Sequence, residues 1–251
     1  MDLGIEGKVA LVSGASRGIG LAISRALAAE GARVAMVARN LAPLAEAAQP
    51  LGALAIAADL SVEDGCQKAV EETEAQLGPV EILVNNLGGR GGSSWADTGV
   101  PELETAMNLN LYAAVRLSKL VLPGMREQGW GRVVVISSVF GREVGGAPAY
   151  NAAKAAEISF ATSLAREVAA DGVTVNCVAP GSILFEGGSW WRRQQENPDG
   201  IADFVRRELP LGRFGTPEEV AAAVTFLCSE PARYVTGACW AVDGAQSRSN
   251  I

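Results

Sequence analysis

Seven short apolar runs alternate along the chain with Ala-rich stretches of helical period. The runs fall at 9–13, 33–38, 54–58, 82–85, 132–137, 173–178 and 239–242 and read as near-continuous rather than strictly alternating. Strands covered by helices on both faces have this character, because neither face can be polar. Between them, the 3.6-residue period predicts helices at 18–30, 41–49, 62–77, 101–127, 149–170 and 217–229. Two of these starts carry capping signals. Ser61 stands three residues before Asp64, and Thr216-Pro217-Glu218-Glu219 is a capping box with Pro at the first helical position. The alternation predicts an α/β fold: a doubly wound parallel sheet of about seven strands with helices on both faces, the Rossmann arrangement. No linker or repeat interrupts the pattern, so residues 1–251 are expected to form a single dinucleotide-binding and catalytic domain. The stretch 181–215, rich in Trp, Arg and Glu, breaks the pattern as an irregular insertion, expected to act as a substrate lid over about 182–215.

Composition removes several classes of function. With 251 residues and 49% hydrophobic content the chain can bury a sizeable core. Its apolar runs are too short to span a bilayer, and Met1-Asp2-Leu3-Gly4-Ile5-Glu6 does not resemble a signal peptide, so no membrane role is expected. The net charge of -7 would repel a polyanion, so nucleic acid is not an expected partner. Histidine is missing altogether, which excludes Ser-His-Asp and Cys-His catalysis and most zinc chemistry; no metal site is expected. Proton transfer near neutral pH must then fall to Asp, Glu, Lys, Cys or a perturbed Tyr. The four cysteines (Cys66, Cys177, Cys228 and Cys239) have no pairing or ligand spacing, which suits a reduced, cytoplasmic compartment.

After the first predicted strand comes Ser13-Gly14-Ala15-Ser16-Arg17-Gly18-Ile19-Gly20, leading into a helix. Glycines at this junction allow a tight turn and close approach of a pyrophosphate. The free N–H groups and positive dipole end of the helix then favour phosphate. Gly14, Ser16, Arg17, Gly18, Ile19 and Gly20 are therefore expected to hold a nucleotide, the alternative being an ordinary glycine-rich turn. An NAD site would place an acid at the end of the second strand to bind the ribose 2′-hydroxyl. Ala38 stands there instead, followed by Arg39 and Asn40. Arg17 and Arg39 could clamp a 2′-phosphate, so NADP(H) is expected in preference to NAD(H), unless both guanidinium groups are merely solvated. Asp59-Leu60 and Asn85-Asn86 end the third and fourth strands, at the sheet edge where ligand crevices form. Asp59 could accept from an adenine amino group and Asn86 could brace the cleft wall, although both residue types are also common turn formers.

Tyr150-Asn151-Ala152-Ala153-Lys154 opens a helix, and the i, i+4 spacing places Tyr150 and Lys154 on one face. A free tyrosine, with a pKa near ~10, is no base at neutral pH. A neighbouring ammonium and an oxidised, positive nicotinamide both favour phenolate. The pair could thus supply the acid/base that histidine cannot. Ser138, twelve residues upstream at the end of the fifth strand, could hydrogen-bond a substrate oxygen, or could merely end the strand.

Taken in order, Ser13-Gly14-x-x-x-Gly18-x-Gly20, Asn85-Asn86-x-Gly88, Asn110, Ser138, Tyr150-x-x-x-Lys154 and Pro180-Gly181 resemble the short-chain dehydrogenases/reductases. The resemblance spans almost the whole chain and is to the single-domain branch that includes the 3-oxoacyl-carrier reductases. It implies that Tyr150 is the acid/base, that Ser138 polarises the carbonyl, and that Lys154 binds the nicotinamide ribose and eases loss of the tyrosine proton. It also implies that Asn110, rather than Asn108, holds a water linking Lys154 to solvent, the plain alternative being a contact to backbone. Gly88, Leu60, Pro180, Gly181 and the main chain of Ile183 complete the implied cofactor site. Enoyl reductases of the family space Tyr and Lys more widely. Some positions depart from the pattern: Ser13 replaces Thr, Leu87 replaces Ala, the Ser138–Tyr150 gap is one residue short, and Phe185 stands where Thr often contacts the carboxamide.

In the insertion, Phe185, Trp190, Trp191 and Phe204 would suit an apolar or bulky ketone. Arg192, Arg193, Arg206 and Arg207 could meet a carboxylate or acyl-phosphopantetheine, or be solvated or paired with Glu186, Glu196 and Glu208. The resulting expectation is an NADP(H)-dependent oxidoreductase interconverting a small-molecule ketone and a secondary alcohol, with pro-S hydride use implied by the resemblance. A 3-oxoacyl-carrier or CoA reductase is the alternative within the enzymes, and a non-catalytic NADP(H)-binding sensor or scaffold is the alternative of another class. The resemblance also implies a homo-oligomer, a tetramer or dimer.

Overall fold

In the computed structural model, which describes residues 1–250, the seven apolar runs become β1 (Val9–Ser13), β2 (Arg33–Ala38), β3 (Leu54–Ala57), β4 (Ile82–Asn85), β5 (Gly131–Ile136), β6 (Val173–Pro180) and β7 (Cys239–Val242). They form one sheet in the order β3-β2-β1-β4-β5-β6-β7, and every neighbouring pair is parallel. Successive side chains leave a strand on opposite faces. Val12, Met36, Val84 and Ile136 therefore enter one core with Ile23, Leu44 and Val224. Leu11, Val37, Leu83 and Val135 enter the other with Val70, Leu117 and Ala161. Helices α1 (Gly18–Ala29), α2 (Leu41–Ala48) and α9 (Pro217–Leu227) cover the first face. Helices α3 (Glu63–Leu77), α5 (Ala113–Gln128) and α6 (Pro148–Val168) cover the second. Both faces are dry over the central strands β1, β4, β5 and β6, which is why these read as unbroken apolar runs.

The chain winds outward in two directions from β1 and β4, so the strand order reverses between them. Loops leaving the carboxyl ends of these two strands go to opposite sides, and a crevice opens where they part.

Three local expectations need correction. The helix expected at 101–127 is instead α4 (Val100–Met107), a single π turn (Asn108–Tyr112) and α5. Asn110 explains the interruption: its Nδ2 donates to the Ala106 carbonyl at 2.6 Å, occupying the acceptor that a regular helix would offer its own backbone. Ser61 does not cap α3, which starts behind Val62 without a side-chain cap. Its N–H and hydroxyl both donate to Asp59 Oδ1, at 3.0 and 2.7 Å. The insertion is not irregular throughout, because it contains α7 (Ser189–Glu196) and α8 (Pro198–Glu208). The Thr216 capping box forms as expected, with Glu219 N–H donating to Thr216 Oγ1 and Thr216 N–H to Glu219 Oε2.

Candidate active site

The crevice at the β1/β4 divide has two continuous halves. The first, about 660 Å³, is lined by Gly14, Ser16, Arg17, Ile19, Gly20, Arg39, Asn40, Asp59, Leu60, Asn86 and Gly88. This is the expected nucleotide set apart from Gly18, which lies beneath the Phe185 ring. The second, about 320 Å³, is lined by Ser138, Tyr150, Lys154, Pro180, Gly181 and Ile183. Ile19, Asn86, Gly88, Gly89 and Phe185 border both halves.

The glycine turn is held by atoms that leave no room for a side chain. A Cβ on Gly20 would stand 2.4 Å from the Gly14 carbonyl oxygen and 2.5 Å from Asn86 Nδ2. Asn86 braces the turn as expected: Nδ2 donates to the carbonyls of Ser13 and Gly14 at 3.0 and 3.2 Å. Ser13 Oγ accepts from the N–H groups of Asn86 and Leu87, tying the ends of β1 and β4 together. The Asp59 carboxyl is held below its ordinary pKa by the Ser61 hydroxyl and N–H, with a smaller contribution from Arg39. Arg39 has no ion pair among the described residues, and Arg17 makes only a long contact to the Gly187 carbonyl, at 3.4 Å. Narrow backbone, a helix N-terminus and two uncommitted guanidinium groups on one crevice suit a phosphorylated dinucleotide.

In the other half, Ser138 follows β5 and its Oγ accepts from the Phe140 N–H, so the hydroxyl hydrogen is free to point elsewhere. Tyr150 lies in the first turn of α6 and Lys154 one turn on, with Nζ 5.6 Å from the tyrosine ring centre. Lys154 Nζ donates to the Ile136 carbonyl at 2.8 Å and to Glu157 Oε1 at 3.2 Å. Asn110 sits behind the loop, its Nδ2 donating to the Gly89 carbonyl at 2.8 Å and its Oδ1 accepting from the Gly89 N–H at 3.4 Å. A Cβ on Gly88 would lie 3.0 Å from Asn110 Oδ1 and 3.4 Å from Lys154 Nζ, so Gly88 packs closely against both. Asn108 points elsewhere and accepts from Arg116 at 2.8 Å.

The departures from the family pattern have structural counterparts. The short Ser138–Tyr150 connection is clasped by Asn151, whose Nδ2 donates to the carbonyls of Phe140 and Glu143 and whose Oδ1 accepts from Gly145 N–H. Leu87 packs partly into the core while lining the nucleotide half. The Phe185 ring lies against Gly18, 2.7 Å from where a Cβ would stand. In the insertion, Trp190 lines the catalytic half but also stacks on Phe204 at 4.5 Å and packs on Phe214 at 5.4 Å. Phe204 thus belongs to the insertion's own core, and Trp191 does not line the crevice. Arg192, Arg193, Arg206 and Arg207 are all exposed and none lines the catalytic half, which is the solvated alternative; among the described residues none of them pairs with Glu186, Glu196 or Glu208. Arg206 pairs with Asp203, Arg193 lies over Trp190 at 5.0 Å, and Glu208 pairs with Arg248. Sequence reasoning missed Arg90, Ser189 and Gln246, which also line the catalytic half, and Glu157 behind it. They lack a local motif and come together only through the fold.

A family model described as enoyl-(acyl carrier protein) reductase matches residues 14–245. The 3-oxoacyl-[acyl-carrier-protein] reductase FabG of Escherichia coli (strain K12) is 40% identical over 245 residues, covering 96% of this chain and 98% of that protein. Acetoacetyl-CoA reductase of Shinella zoogloeoides is 36% identical, covering 95% of this chain and 98% of its own. L-sorbose reductase from Gluconobacter frateurii, solved with NADPH and L-sorbose, superposes with a TM-score of 0.93 at 35% identity, covering 99% of this chain and 100% of that one. The fold and site define a nucleotide-dependent oxidoreductase. The chain belongs to the short-chain dehydrogenase/reductase family, and its chemistry is NADP(H)-dependent interconversion of a ketone and an alcohol.

Proposed function

We propose that the chain reduces a small-molecule ketone with Tyr150, Ser138, Lys154 and Asn110 as its working residues. The observation that carries this reading is the placement of Ser138, Tyr150 and Lys154 along one crevice wall continuous with the glycine turn. NADP(H), when bound, supplies or accepts the hydride. Arg17 and Arg39 would hold its 2′-phosphate, the turn from Gly14 to Gly20 would hold the pyrophosphate, and Pro180, Gly181 and the main chain of Ile183 would line the end that takes the nicotinamide. The Ser138 hydroxyl donates to the substrate carbonyl oxygen, and Tyr150 gives that oxygen its proton. Carbonyl, hydride and proton sum to the alcohol; in the reverse direction Tyr150 takes the hydroxyl proton. Lys154 favours the phenolate that results, and Asn110 fixes the loop in front of it. The four-residue Tyr–Lys step favours a carbonyl over an enoyl substrate.

The names of the relatives point to 3-oxoacyl thioesters and to a ketose as substrate classes to test first. The stretch 182–215 is the lid of a single catalytic domain. Cytoplasmic residence accords with free cysteines, two of which, Cys66 and Cys228, burial pushes up to about 11 and about 12. Assembly into a homotetramer accords with the exposed Tyr234, Tyr112 and Leu120. NADPH oxidation with a panel of 3-oxoacyl thioesters and ketoses tests the enzyme reading. Turnover that Tyr150→Phe abolishes supports it, whereas tight NADPH binding with no turnover on any ketone supports a sensor instead.

A further inference from the structure

Helix α6 presents Tyr150, Lys154 and Glu157 at i, i+4 and i+7, a spacing that keeps all three on one stripe. Glu157 is 1% exposed and Lys154 3% exposed, so two opposite charges are shut into the interior behind the crevice. The Glu157 carboxylate reaches Lys154 Nζ with Oε2 at 3.0 Å and Oε1 at 3.2 Å. Oε1 accepts a hydrogen bond, while Oε2 is buried and has ion-pair contact alone. A buried pair of this kind is often no more stabilising than apolar side chains of similar size. Stability therefore gives no reason for a carboxylate here, and its single ionic partner is the lysine of the acid/base pair.

We propose that Glu157 is a positioning residue that pins the Lys154 ammonium against the Ile136 carbonyl and, as its counter-charge, sets the pH range over which Tyr150 exchanges its proton. The inference rests on the reading of Tyr150 and Lys154 given above. An ammonium near a phenol favours phenolate, and an anion on the far side of that ammonium cancels part of the effect. Ionised Glu157 is thus a counter-charge to the ammonium that the tyrosine faces, and a carboxylate there suits a tyrosine that must carry its proton for ketone reduction. Burial raises the pKa of Glu157 above its ordinary value, against the opposing pull of Lys154. Burial alone would lower that of Lys154, but Glu157, with a smaller contribution from Tyr150, reverses the direction. The remaining groups facing Glu157 are weakly polar. From the end of β5 comes the Ser137 hydroxyl, which donates to the Lys154 carbonyl at 2.8 Å and also stands close enough to the Glu157 carboxyl to favour its ionised form slightly. From β6 comes the Cys177 thiol, 3.8 Å from the Glu157 carbonyl, with Cys239 of β7 and then Arg142 beyond it.

The test compares wild type, Glu157→Gln and Glu157→Asp, with Tyr150→Phe as reference. Two readouts are taken: the pH profile of kcat/KM for alcohol oxidation, and ultraviolet titration of phenolate in the protein without cofactor. With three tyrosines in the chain, subtracting Tyr150→Phe isolates the signal of one. Glu157→Gln should lower both midpoints by about one pH unit, the size expected for a unit charge two helical turns, about 10.5 Å, along the helix at an effective dielectric of about 20. Glu157→Asp, which retracts the carboxylate by one carbon, should move them the same way by less, and serves if the Gln variant does not fold. Midpoints that coincide with wild type in both readouts, alongside a lowered Tm, would make Glu157 merely structural and overturn the inference. Full turnover in Tyr150→Phe would instead overturn the underlying assignment.

Discussion

At the β1 end of the crevice the wall is mostly backbone: a glycine turn, carbonyl groups caught by Asn86, and two arginines at the rim that form no ion pair among the described residues. At the α6 end it is buried charge: Lys154 held by a carbonyl and a carboxylate, with Asn110 laced into the loop in front of it. The difference matches what the proposed function asks of each end. Phosphates arrive already charged and need donors and space, which main-chain N–H groups and solvated guanidinium groups provide at little desolvation cost. A proton in transit needs a fixed field, and charges act strongly only where water is excluded. Substitutions should therefore separate cleanly, with those at the α6 end changing turnover and those at the β1 end changing binding.

The largest effect is expected at the α6 end. Tyr150→Phe removes the proposed proton donor and should lower kcat by about 10²–10⁴-fold, while NADPH titration followed by tryptophan and nicotinamide fluorescence should give a near wild-type Kd. A parallel loss of NADPH binding would break the division between the two ends. The corresponding change at the β1 end is Gly20→Ala. Its added carbon meets the Gly14 carbonyl oxygen at 2.4 Å, and relieving such overpacking costs about 1–3 kcal/mol. NADPH affinity and Tm should fall together, with kcat at saturating NADPH changed far less than in Tyr150→Phe.

Arg39→Asp should have the next largest effect, and on selectivity alone. A charge-assisted hydrogen bond to phosphate is worth about 1.5–3 kcal/mol, so the NADPH/NADH affinity ratio should drop about ten- to hundredfold. The new carboxylate would stand where an acid can accept from a ribose 2′-hydroxyl. An unchanged ratio would mean that Arg39 is a solvated rim charge and that Arg17 or the turn itself selects the nucleotide.

How much of this was readable from the chain depends on the range of the forces involved. The seven strands, the glycine turn and the Tyr150–Lys154 pair are local patterns, fixed by period and spacing within a few residues. The Thr216 capping box is equally local, and it forms. Ser61 looked like the same kind of signal but was captured by Asp59, two residues back, a competition that spacing does not resolve. The π turn at Asn110 depends on Gly89, 21 residues away, whose carbonyl takes a second hydrogen bond from Nδ2 and whose N–H donates to Oδ1. Glu157 reads as an ordinary helical glutamate until β5 and β6 close over it. The insertion hid its helices because its apolar residues serve a small core of their own, around Ile201, Leu209 and Phe214.

Phe185 is the residue on which the two ends meet, and it offers the finest test of their separation. Its ring borders both halves and packs on Gly18 at the start of α1, where a phosphate would rest against the helix N-terminus. A ligand lying along the turn must share that space with the ring or move it aside. Phe185→Ala removes the obstruction together with some packing on the first core. NADPH should then bind about three- to tenfold more tightly, a change of about 1 kcal/mol, while Tm falls. kcat at saturation should stay within a few-fold of wild type, because Ser138, Tyr150 and Lys154 keep their own supports. Weaker binding would assign the ring the opposite role, as a platform on which the bound nucleotide packs. A large loss of kcat would show that the ends are coupled through this side chain, and the division of labour along the crevice would have to be redrawn around it.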